Sequence, residues 1–221
     1  MMQNGIKMVE KETNLATLNL PVINASGEQV YPGKYAFELY NKFSNKQSEY
    51  YTWNSDMPND IEAFATGKTA MLIAPNSIES KFFNDYPLFK YKKALVPKIK
   101  NNPDSEVYYG RSISFVVPKS SYNASIAWQV ANMSYSTLYG SISAYKPTDE
   151  KIQEYKSSDD ISKYVPQLAA PYTNTWTKGR YPSEVNTIVK RAIDNYNAGG
   201  QDSQGALDLT ATKISELLKK T

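Results

Sequence analysis

Gly67-Lys68-Thr69 is the run whose residue types could do chemistry most directly. In phosphate-binding loops such a run closes a glycine-rich turn between a strand and a helix, where backbone N–H groups and the lysine hold phosphate oxygens. That loop needs a glycine five positions before the second one, and Glu62 stands there. The order of elements is reversed as well. A short helix is expected to start near Pro58, capped by Ser55 or Asp56, with Ile61, Phe64 and Ala65 on its buried face. Gly67 fits the position that ends this helix, and Lys68 suits the negative end of its dipole. The apolar residues 70–74 then read as a short buried strand. Helix followed by strand is the wrong direction for a phosphate cradle, so the run is read as a helix stop.

Other chemistries find little support. The 221 residues contain no cysteine and no histidine. Disulfides, thiolate nucleophiles, Cys/His metal sites and a histidine general base are therefore ruled out. Asp104 and Glu106 could be imagined as a glycosidase pair, but nothing in the sequence sets a second carboxylate opposite them. The expectation is a non-enzyme with no cofactor and no metal. A net charge of +3 gives no support for nucleic acid or an anionic membrane as the main partner. Hydrophobic content of 41% with mixed charge indicates a globular chain. With 18 Tyr against 7 Phe, the aromatic content suits surfaces that need a flat apolar body with a polar tip.

The elements that must position these groups follow from periodicity and punctuation. Gly5 follows the last turn of a helix, and residues 7–30 read as irregular strands and turns. A helix is expected over 33–44 on Tyr35, Ala36, Leu39, Tyr40 and Phe43. Residues 50–56 form an aromatic loop. Pro75-Asn76-Ser77 make a sharp turn into a helix over about 77–84. Residues 93–96 and 112–117 read as strands. A helix over about 124–138 buries Ala127, Trp128, Ala131, Tyr135 and Leu138. Short helices fill 139–168, and a second aromatic loop spans 171–181. Helices over about 182–196 and 203–219 close the chain, with Gly199-Gly200 between them. The class is α/β, with no flexible linker marking two independent domains.

The order of these features resembles the C-terminal half of family 1 extracellular solute-binding proteins, the maltose-binding-protein-like receptors of ABC importers. The phrases that carry the likeness are FATGKTAM before a short strand, the Pro-Asn-Ser turn, LVPKI, YYGRSISFVVPKSS, and the ending IVKRAIDNYNAGGQDSQGALDLTATKISELLKK. The likeness covers nearly the whole chain. It implies a periplasmic-binding-protein-like type II lobe over 1–221, with 1–30 as an irregular leading segment and 182–221 as closing helices. Such receptors capture a sugar or oligosaccharide between two lobes and dock on an ABC permease. They are extracytoplasmic, periplasmic or anchored at the cell surface as lipoproteins. MMQNGIKMVEKETN lacks the apolar core of a signal peptide, and most of an N-terminal lobe has no counterpart. The expectation is a truncated lobe with impaired binding. The alternative is an interaction module derived from such a lobe, without a transport role, self-associating through an exposed hinge face.

The resemblance also points to contact residues. Trp53, Asn54 and Met57 precede the helix near Pro58, where the family meets its ligand; Trp53 either contacts solute or packs within the lobe. Asn76 and Ser77 match the family's turn after a strand. Tyr109 and Arg111 fall in the crossover region, where a tyrosine is either a ligand group or structural. Tyr172 and Trp176 lie in the second aromatic loop, with Trp176 either stacking on a sugar or stapling the loop to the closing helices. Rings present apolar area at little entropic cost, while amides and hydroxyls satisfy sugar hydroxyls.

Overall fold

The computed structural model describes residues 1–24, 26–100, 105–110, 115–139 and 147–220. The protein is mixed α/β, with helices dominant and two-stranded sheets. The chain divides into two compact units. The first comprises Met1–Phe89, Pro97–Val107 and Trp176–Thr221, and the second Lys90–Val96 and Tyr108–Thr175.

The first unit is organised by its closing helices, α7 (Pro182–Asn197) and α8 (Ser203–Leu218). Pro182 sits in the first turn of α7, where its missing N–H costs nothing. The helix ends on Gly199 at φ 72°, with Gly199 N–H donating to the Tyr196 carbonyl and Gly200 N–H to that of Asn195. That is the paired closure a left-handed residue permits after a helix. Asp202 then caps α8, its carboxylate accepting from Gly205 N–H at 2.9 Å. Ala206, Leu207, Ala211, Ile214 and Leu218 form the buried stripe of α8, and Val185 and Ala192 that of α7. The expected faces of both helices match this core.

Two antiparallel hairpins build the leading segment: β1 (Val9–Glu10) with β2 (Leu15–Ala16), and β3 (Val22–Ile23) with β4 (Gln29–Val30). Two-residue strands cannot stand alone. Here α8 holds them. Ala16 N–H donates to Ser215 Oγ at 2.9 Å, and Gln204 Nε2 donates to the Asn19 carbonyl at 3.1 Å. Leu18 is buried in the same core.

Helix α1 (Pro32–Lys42) forms where expected but turns a different face inward. Gly33, Phe37 and Asn41 are buried, while Tyr35, Leu39, Tyr40 and Phe43 are exposed. Gly33 decides the seating. An added Cβ there would stand 1.8 Å from the Leu18 carbonyl oxygen, so only glycine allows the helix to approach the turn that follows β2. Phe37 then meets Tyr196 edge-on, centroids 5.3 Å apart.

Helices α2 (Asp60–Ala65) and α3 (Glu79–Asp85) carry a smaller aromatic core. Phe64 lies 5.8 Å from Phe82 and 5.1 Å from Phe89. The cap of α2 is Asn59, not Ser55 or Asp56: its side chain accepts from Ile61 and Glu62 N–H. Gly67, at φ 74°, ends the helix as expected. Gly67 N–H donates to the Phe64 carbonyl at 3.1 Å and Lys68 N–H to that of Ala63 at 2.8 Å. Residues 70–74 are not the buried strand expected after it. They pair with no strand, and Met71 and Ile73 are 84% and 79% exposed. An apolar run becomes a strand only when a neighbouring ladder accepts its peptide groups, and this run has none among the described residues.

The second unit holds α4 (Ala124–Tyr139), α5 (Asp149–Lys156) and α6 (Val165–Ala169). Ile152 and Leu168 are buried, and Tyr155 stacks on Tyr164 with centroids 4.5 Å apart. Trp128 on α4 is half exposed and not core. The expected strand over 93–96 is irregular, and Val116 in the expected strand over 112–117 is 80% exposed; residues 112–114 lie outside the described residues. Among the described residues one parallel pair is present, β5 (Tyr108–Tyr109) with β6 (Thr173–Asn174).

Candidate functional site

In the first unit, the loop carrying Trp53, Asn54 and Met57 is tied to the end of α1. The Phe43 carbonyl accepts from both Thr52 N–H at 2.9 Å and Trp53 N–H at 3.2 Å. Asn54 organises the turn that follows, its Oδ1 accepting from Asp56 N–H at 3.1 Å. Asp56 is fastened in turn to Lys46, whose ammonium lies 2.8 Å from its carboxylate. This hydrogen bond holds the Asp56 carboxyl below its ordinary range. Trp53 and Asn54 are half-buried and Met57 is exposed. Beside the loop, Phe43 meets Tyr50 edge-on at 6.4 Å and Lys42 stands 5.6 Å from the Tyr50 ring. The result is an exposed aromatic surface with amides at its edge. Such a surface can place rings on a sugar face and amides on its hydroxyls.

Asn76 and Ser77 open a 3-10 turn (Asn76–Ile78) that runs directly into α3. Both are exposed. They follow the irregular residues 70–75, and not the end of a buried strand. No hydrogen bond or ring contact joins them to the Trp53 loop among the described residues.

Trp176 is half-buried against the core of α1, α7 and α8. The Lys178 ammonium lies 5.1 Å from its ring centroid. One face of the indole is thereby engaged by a cation–π contact. A sugar could stack on that face only by displacing Lys178. The packing makes Trp176 a staple between the second aromatic loop and the closing helices.

In the second unit, the parallel pairing sets Tyr109 opposite Asn174 and brings Tyr172, one residue before β6, to the same short ladder. Tyr109 is 54% exposed and Tyr172 39%. Gly110 N–H donates to the Asn174 carbonyl at 2.9 Å. A Cβ on Gly110 would stand 2.1 Å from the side-chain methyl Cγ2 of Thr173, so a larger residue there would force that side chain to shift. Sequence reading placed the two tyrosines in separate regions; the lone glycine beside Tyr109 was the signal that backbones meet there. Arg111 lies outside the described residues, as does Asp104.

A feature that sequence reading missed is a shallow groove of about 650 Å³ between the β1–β2 hairpin and α8. Glu10, Thr13, Asn19, Ser215, Glu216 and Lys219 contribute its polar rim. None of the residues expected to meet ligand lines it. Among the described residues no group of three or more acidic side chains could hold a metal ion, and no helix is long and apolar enough to cross a membrane.

Comparison with protein-family models and with curated proteins gives no match for this chain.

Proposed function

We propose that the chain is the C-terminal lobe of a solute-binding receptor of the family 1, maltose-binding-protein-like kind, serving an ABC importer outside the cytoplasm. It would be a binding protein and not an enzyme, with a type II periplasmic-binding-protein lobe as its parent fold. The observation that carries this is the ordered series of phrases along nearly the whole sequence, from YTWN and FATGKTAM to the Gly199-Gly200 break and the last helix. The paired closure of α2 by Gly67 and Lys68 supports reading the Gly-Lys phrase as a helix stop and not as a nucleotide loop. The aromatic surface around Trp53, Tyr50 and Phe43, with Asn54 at its edge, supports a carbohydrate as the solute.

In this reading the lobe contributes one wall of a cleft. A solute favours the closed receptor because only closure lets both walls touch it. One wall alone binds weakly. The test is calorimetry of this chain against a panel of oligosaccharides, comparing the natural sequence with Trp53→Ala. Millimolar binding lost in Trp53→Ala supports the proposal; micromolar binding untouched by the substitution contradicts it.

The second reading, an interaction module built on such a lobe, is favoured by one observation: large apolar side chains stand exposed at Met71, Ile73, Phe83 and Leu88 in the first unit. Surfaces of this kind mark protein contacts.

A further inference from the structure

Asn4-Gly5 is the chain's single asparagine–glycine pair. An asparagine side chain can be attacked by the backbone nitrogen of the residue after it, which closes a succinimide ring. Any other follower carries a Cβ that crowds this ring; glycine carries none. The structure leaves the approach open. Gly5 is exposed, at φ 82°, and a Cβ built on it would meet nothing within 4 Å. Water and hydroxide therefore reach the reacting peptide group. Two hydrogen bonds restrain the same atoms. Gly5 N–H, the nucleophile, donates to the Met2 carbonyl at 3.0 Å. Asn4 Nδ2, the leaving nitrogen, donates to the Pro32 carbonyl in the first turn of α1 at 3.4 Å. On either side of the pair the chain is anchored, since Ile6 is buried in the core of the closing helices and Met1 packs against it.

We propose that Asn4 is a self-modification site: in the folded chain its side-chain amide is lost by ring closure onto Gly5, at a rate set by opening of the Met2–Gly5 turn. The only co-reactant is water. The Gly5 nitrogen gives its proton to hydroxide, and its electron pair forms the bond to Asn4 Cγ. The Cγ–Nδ2 bond breaks, and the departing nitrogen takes a proton from water and leaves as ammonia. Water then opens the succinimide at either carbonyl. One opening gives aspartate. The other gives isoaspartate, in which the main chain runs through the former side chain and lengthens by a carbon. Both products carry a carboxylate where the amide stood. The donor to Pro32 is gone and a negative charge stands near a carbonyl oxygen, so the tie between the leading turn and α1 is lost. This site does not depend on the solute-binding reading.

The experiment incubates the full chain at mildly alkaline pH. Peptide mapping by mass spectrometry, with enzymatic methylation of isoaspartate, follows each asparagine. Conversion at Asn4 is expected to run at least tenfold faster than at Asn76, which is exposed and followed by serine. In guanidinium chloride above the unfolding midpoint, conversion at Asn4 is expected to quicken at least threefold, because both restraining bonds are gone. Asn4→Gln keeps an amide donor but must close a larger ring, and its peptide is expected to stay unconverted over the same period. Asn4→Asp carries the product's charge and is expected to unfold at lower urea concentration than the natural chain. A folded chain that keeps Asn4 intact, or converts it no faster than Asn76, overturns the proposal. Equal rates in the folded and unfolded chain overturn the gating by the turn. An Asn4→Asp variant as stable as the natural chain overturns the role given to the Pro32 bond. None of these results changes what the oligosaccharide titration reads.

Discussion

Gly33→Ala sets two physical rules against each other. Helix propensity favours alanine over glycine inside a helix by about 0.5–1 kcal/mol. Packing at this position says the reverse. Gly33 is buried in the first turn of α1, and an added Cβ would lie 1.8 Å from the Leu18 carbonyl oxygen and 3.0 Å from its carbon. Those are main-chain atoms, with no side-chain end to swing away. Either α1 or the turn at Leu18 must move by more than an ångström, and Leu18 is 2% exposed in a core it shares with Phe37, Val185 and Ile214. Overpacking of this kind costs about 1–3 kcal/mol, occasionally more. The rigid neighbour argues for the upper end, so after the propensity gain the net loss is about 2 kcal/mol. Urea unfolding followed by tryptophan emission measures it, Trp176 reporting the same core. A fall in midpoint with unchanged slope is the expected result. If Gly33→Ala is as stable as the natural chain or more so, α1 does not sit on the Leu18 carbonyl, and the account of its inward face fails.

Gly205→Ala in α8 is the companion case. Its added Cβ would meet Gln201 side-chain atoms at 3.2 and 3.3 Å, and that flexible side chain can yield, so propensity wins and the protein gains about 0.5–1 kcal/mol in the same assay. Ile214→Ala removes a fully buried side chain from the centre of α8 and is expected to cost about 2–5 kcal/mol of urea stability. Asp202 is held below its ordinary range, chiefly by the Gly205 N–H, so its cap contributes stability that is complete above about pH 4 and lost as pH falls through its lowered value. Asp202→Asn keeps an acceptor at the cap without a titrating proton. Midpoints measured from about pH 6 to pH 2 are expected to fall less steeply in this variant than in the natural chain.

The helices were legible because their signals are local. Val185, Ile188, Val189 and Ala192 repeat at helical spacing, and Pro182 and Gly199 mark the ends. Gly67 was legible as a stop for the same reason. The inward face of α1 was not, because tyrosine is apolar enough to count toward a buried stripe yet content at the surface; Gly33 set the face through a contact with Leu18, 15 positions earlier. Strands were the least legible. An apolar run such as residues 70–74 does not contain the information about which partner, if any, accepts its peptide groups. Trp128 was misplaced by a similar route, since a helical stripe shows amphipathicity without showing what covers it. The aromatic loop over residues 50–56 was readable as a loop from its residue types, whereas the choice of Trp53, Asn54 and Met57 as contacts came only from the resemblance. The meeting of Tyr109 with the strand after Tyr172 was not readable, because it joins residues more than 60 positions apart through one parallel ladder.

The proposal that this lobe holds a carbohydrate on the Trp53 surface has a direct readout. The chain has three tryptophans, Trp53, Trp128 and Trp176, and each contributes one indole N–H signal to a nitrogen-15 NMR spectrum. Titration with the oligosaccharide panel is expected to shift the Trp53 signal, with an affinity of about millimolar, and to leave Trp128 in place. No shift of Trp53 with any sugar up to tens of millimolar, or a shift confined to Trp128, would contradict it.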